Sequence, residues 1–159
     1  MEKFNEYLPL RSELEWKDFL LGYFTHIYTD LRWTDTIYAE FEKAYVGDNV
    51  RGIYNQEVSQ VEFELKRSIN HYNELIRLLK NAEGYTINPF VTQSEVGEYR
   101  DIKVEWIQDP NNEPFIKPIY FDSIKVYRFI EKISEELKEL LNDYDIEYYG
   151  ENRNMGQKL

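Results

Sequence analysis

Of the residue types in this 159-residue chain that could do chemistry, the carboxylates dominate: it holds 30 Asp and Glu against two histidines and no cysteine. Without thiols there is no Cys nucleophile, thiolate metal site or disulfide, and His26 and His71 alone cannot build a multi-His metal centre. Close carboxylate pairs occur at Glu62 with Glu64 and at Asp143 with Asp145. Such a pair does acid-base work only when a neighbour sets the two pKa values apart, and neither is accompanied by a histidine or a metal-ligand motif. His26 lies beside an apolar helix face and His71 next to Tyr72, the usual setting of structural or surface histidines. Gly22, Gly47, Gly52, Gly84, Gly97, Gly150 and Gly156 are scattered, and none opens a helix in the pattern of a phosphate loop. A G-x-S-x-G elbow and an EF-hand loop are also absent from the sequence. The reading is a protein that is not an enzyme and has no cofactor or metal.

The elements positioning these residues read in the order helix, helix, helix, hairpin, helix. Trp16, Phe19, Leu20, Tyr23, Phe24, Ile27, Tyr28 and Leu31 form one broad apolar face of a helix from Ser12 to Leu31. Ser12 and Glu15 have the spacing of a capping box, and Gly22 inside the helix suggests another element crossing close by. After a break at Arg32 to Thr34, Ile37, Tyr38, Phe41 and Tyr45 resume the stripe, and Gly47 ends it. Asp48 to Gln56 reads as a loop. Val58, Val61, Leu65, Ile69, Tyr72, Ile76 and Leu79 then mark a long helix reaching Asn81, closed by Gly84. Between Tyr99 and Gln108, Ile102, Val104 and Trp106 alternate with Asp101, Lys103 and Glu105, the period of a half-buried strand. D-P-N-N-E-P at Asp109 to Pro114 supplies a turn, Phe115 to Phe121 the returning strand and Tyr85 to Val91 a candidate third. Asp122 or Ser123 caps a last helix with a seam of Val126, Ile130, Ile133, Leu137, Leu140 and Tyr144. The expected class is α+β: about four helices packed with a small antiparallel β-hairpin or three-stranded sheet. Residues 1–149 are expected to form a single globular domain, and 150–159 a flexible tail.

Charge is the strongest compositional signal, with 30 acidic against 19 basic residues and a net charge of -11. That disfavours direct binding to a phosphate backbone and favours a basic protein partner. Glu131, Glu135, Glu139 and Asp143 recur every fourth residue and so lay an acidic ridge along the last helix. Asp145, Glu147, Tyr148 and Tyr149 follow at its exit, and tyrosine is enriched in interface hot spots. These eight residues are the candidate partner-binding set. The plainer account is a solvated helix face that only keeps the protein soluble. Met1 to Leu10 carries Glu2, Lys3 and Glu6 and lacks the apolar run of a signal peptide, and no segment has the composition of a membrane span. With no cysteine, the chain reads as cytoplasmic, with no membrane contact and an undetermined oligomeric state.

Small, acidic, Tyr-rich and cysteine-free, with many Asn, Lys and Ile, the whole chain resembles the anti-CRISPR proteins of mobile elements in low-GC Gram-positive bacteria that inhibit type II Cas9. F-L-L-G-Y-F at Phe19 to Phe24, then Asp30, and a helix ending L-I-R-L-L at Leu75 to Leu79 are similar to all-helical immunity proteins of contact-dependent inhibition systems. Thr25 to Tyr28 reads T-H-I-Y where that family has His-Gln-Asp-Trp. The first resemblance implies acidic side chains that block DNA binding or cleavage by Cas9. The second implies an immunity protein neutralising a toxin nuclease. Both imply a stoichiometric inhibitor of a nucleic-acid enzyme. Accounts of other classes are a small Mg-dependent enzyme built from carboxylates, which needs three or more of them in one pocket, and a structural module pairing with a second copy.

Overall fold

The computed structural model describes residues 2–143. It is 76% helix and 1% strand, with no sheet among the described residues, so the expected α+β class is corrected to all-α. The chain divides into two compact units, Met1–Ser123 and Ile124–Leu159.

In the first unit, α1 (Glu2–Tyr7) leads through a short 3-10 turn into α2 (Leu14–Trp33). Glu13 occupies the cap position of α2 without a side-chain bond, so Ser12 and Glu15 do not form the expected box. Trp16 and Leu20 are buried, while Ile27 and Leu31 at the far end of the apolar face are exposed. The expected break after Leu31 is instead a π turn at Thr34–Tyr38 that carries the helix on into α3 (Ala39–Ala44). There the hydroxyls of Thr34 and Thr36 donate to the carbonyls of Asp30 and Arg32, at 2.9 and 2.6 Å. Such side-chain donors compete with the regular ladder and loosen it by one residue without ending it.

Among the described residues no element crosses at Gly22: a methyl group added there, or at Gly97, would meet none of them within 4 Å. Both glycines lie inside helices. Replacing either by alanine is therefore expected to raise unfolding stability by about 1 kcal/mol, read by urea denaturation.

Helix α4 (Val50–Ser68) begins inside the stretch expected to be a loop, because the Asn49 side chain accepts from the Gly52 N–H at 3.1 Å and caps it. The long helix expected to reach Asn81 is two. His71 adopts a left-handed backbone with φ 63° between α4 and α5 (Tyr72–Asn81), so the helix cannot continue through it.

The expected strand at Tyr99 to Gln108 lies within α6 (Gln93–Gln108). Two signals outweigh its six-residue alternation. Thr92 and Glu95 form a reciprocal capping box, in which the Glu95 N–H donates to Thr92 Oγ1 and the Thr92 N–H to Glu95 Oε2. Hydrogen bonds from Thr92 also hold the Glu95 carboxyl below the usual carboxylate range. Val96, Arg100, Val104 and Ile107, at helical spacing, are among the less exposed positions. Gly84, expected to close a helix, lies where an added Cβ would come within 2.8 Å of Val96, so its small size lets the chain pass α6. Tyr85 to Val91 contributes a single antiparallel bridge between Ile87 and Val91.

Phe121 is fully buried at 0% exposure. Its ring stacks on Trp33 at 6.0 Å and meets Phe41 at 5.1 Å and Tyr54 at 5.5 Å. Residues from α2, α3 and α4 thus converge on a residue of the expected returning strand. Helix α7 (Ser123–Asp143), which belongs to the second unit from Ile124 onward, buries Val126, Phe129, Ile133 and Leu141, whereas Ile130 of the expected seam is 43% exposed. Tyr144 and the expected tail at 150–159 lie outside the described residues.

Candidate functional site

Glu131, Glu135 and Glu139 are exposed along α7, each about one turn beyond the last. Asp143 is the last residue of the helix, and Asp145, Glu147, Tyr148 and Tyr149 lie outside the described residues. Arg128 and Lys138 are exposed as well, and Lys132 pairs with Glu136 at 3.8 Å. The ridge is therefore a row of separate carboxylates among cations, not a uniform negative strip.

A second arrangement, missed in the sequence, lies in the first unit. Glu57 and Gln60 on α4 are each only 4% exposed, although both are polar. Glu57 Oε2 accepts the backbone N–H groups of Tyr120 at 2.7 Å and Phe121 at 3.3 Å. Gln60 Oε1 accepts the N–H of Ile116 at 3.2 Å, and its amide nitrogen donates to Glu113 at 2.9 Å. Arg67 donates to both oxygens of Glu113 at 2.8 Å. Burial pulls the Glu113 carboxyl upward, but these bonds outweigh it and leave it below the usual range. Buried backbone donors need acceptors, and here the side chains of α4 take the place of a partner strand. The segment so pinned exposes Phe115 at 75% and Ile119 at 81%, with Phe115 held at φ 52°. Left-handed backbone at a bulky residue persists only where the surroundings impose it. Glu57, Gln60 and Glu64, recurring at three- and four-residue spacing beside Val61, were the legible trace of this polar stripe.

The carboxylate pair Glu62 and Glu64 is not a converging pair, because residues two apart on a helix point in different directions. Glu64 receives the hydroxyl of Ser123. Glu62 is pushed up by burial, only partly offset by the positive charge of Lys103. Nearby, the buried hydroxyl of Tyr72 has no hydrogen-bond partner among the described residues. A carboxyl whose folded pKa is raised destabilises the fold above that pKa, and the cost disappears as pH falls below the unfolded value. Glu62→Gln is accordingly expected to raise the Tm at neutral pH, with the difference shrinking toward zero near pH 4, as followed by circular dichroism.

His26 lies 3.4 Å from Asp30 on the exposed side of α2, and His71 occupies the turn before α5. Among the described residues no three His, Asp or Glu side chains are grouped to hold a metal ion, and no helix is long and apolar enough to cross a membrane. Set beside known proteins, the chain matches no family model, and neither a curated protein nor a solved structure shows significant similarity to it.

Proposed function

We propose that the protein is a non-catalytic, stoichiometric inhibitor that binds a basic surface of a nucleic-acid enzyme, with Cas9 as the first target and DNA binding or cleavage as the blocked step. The observation that carries this reading is the exposed row Glu131, Glu135 and Glu139 on α7, in a chain with a net charge of -11. Carboxylates about 6 Å apart along a helix can meet successive Lys or Arg side chains of a groove that otherwise holds phosphates. Such complementarity speeds encounter and fixes register. The cytoplasm, where these enzymes work, is the compartment this reading gives the protein.

The all-helical fold favours a second target class within the same mechanism. A hairpin at Tyr99 to Phe121 would set the chain apart from the immunity proteins its F-L-L-G-Y-F stretch resembles, and the first half of that hairpin segment lies instead in helix α6 (Gln93–Gln108). Immobilised protein exposed to a panel of Cas9 orthologues and toxin nucleases is expected to retain one class in equimolar amount. Retention of neither class removes the proposal.

A further inference from the structure

Helix α6 carries apolar residues on two sides. Val96, Val104 and Ile107 turn inward, as on any surface helix that packs on a core. Tyr99 and Ile102 turn outward, 59% and 65% exposed, and continue at i+7 into half-buried Trp106, whose ring packs on Phe63 at 5.5 Å. Beside this row runs a second one at the same spacing, Glu98, Asp101 and Glu105, all exposed. Asp101 accepts from Arg100 at 2.8 Å, while the side-chain carboxylates of Glu98 and Glu105 make no hydrogen bond or ion pair among the described residues. An apolar and an acidic row therefore lie side by side over two turns of one helix, about 10 Å. The six-residue alternation that mimics a strand in the sequence is what creates them.

We propose that this outward face of α6 is a docking surface for a basic amphipathic helix of the partner, whose apolar side chains cover Tyr99 and Ile102 while its Lys or Arg side chains meet Glu98 and Glu105. The inference rests on the basic-partner reading above and adds where and in what form that partner is held. An occupant of matching form is an amphipathic helix, since rows at i, i+3 and i+7 pair with the same spacing on a facing helix. Its charge must be positive, because like charges face to face are repelled; that also argues against a second copy of this acidic chain.

The probe is a synthetic helical peptide with leucines on one face and lysines on the other, titrated into the 15N-labelled full chain and followed by NMR. Shifts are expected on residues 93–108. Glu98→Lys with Glu105→Lys should weaken binding about tenfold or more, and Ile102→Ser about fivefold. Glu42→Lys with Asp48→Lys, exposed positions that change net charge equally, should change it less than about twofold. Preserved spectra of the free variants show that each still folds. Equal weakening by the two charge-reversed pairs, shifts centred elsewhere, or tight binding by Ile102→Ser would each overturn the α6 surface. The capture of a nuclease from the panel tests the basic-partner reading separately.

Discussion

Replacing Phe121 by alanine is expected to cost about 4 kcal/mol of unfolding free energy, the range for deleting a fully buried phenyl ring. The ring is 0% exposed and lies among Trp33, Phe41 and Tyr54, so no solvent-facing path lets the cavity collapse cheaply. Its backbone N–H is tied to Glu57, which fixes the chain on which the ring is mounted and limits repacking. Phe121→Leu, which keeps most of the volume, should cost less than half as much. Urea titration of both variants checks the pair. Near-equal small losses would mean that the aromatic cluster is not the unit's core.

The double variant Glu135→Lys with Glu139→Lys is expected to leave stability within about 1 kcal/mol of the parent, because exposed charges contribute little to a fold. Its effect on inhibition should be far larger. Close charge pairs across an interface couple by roughly 1.5 to 7 kcal/mol, so two reversals should weaken inhibition by about a hundredfold or more and flatten its dependence on salt. The readout is the inhibition constant against the captured enzyme at low and at physiological salt. A double variant that inhibits as well as the parent would reduce the ridge to a solvated face.

Much of the helical content was legible from apolar spacing, since Trp16, Leu20, Phe41, Val61, Ile76 and Val126 are buried on helices where their periodicity put them. The helix boundaries were less legible, because they depend on local competition that periodicity does not report. A heptad-like run passes straight through His71, whose left-handed backbone divides α4 from α5. The hydroxyls of Thr34 and Thr36 turn an expected break into a π turn. The fold class failed at one window: residues 101–106 alternate because α6 has apolar side chains on two faces, and a period of two over six residues cannot be told from that arrangement. The capping box at Thr92 and Glu95 was the signal that could have decided it. Phe115 to Phe121 looked like a strand for a related reason. Its N–H groups do need acceptors, but they find them on Glu57 and Gln60, residues more than fifty positions away that no local pattern connects to it. Of the candidate site, Glu131, Glu135 and Glu139 are exposed as their spacing implied. The outward face of α6 was hidden by its reading as a strand.

Isothermal titration of the protein into the captured nuclease, with activity read on the same samples, tests the central claim most directly. The proposal expects one-to-one binding that weakens as salt rises, with activity lost in proportion to complex formed and reaching its floor at equimolar protein. Inhibition at far below one equivalent, or one-to-one binding that leaves nuclease activity intact, would contradict it.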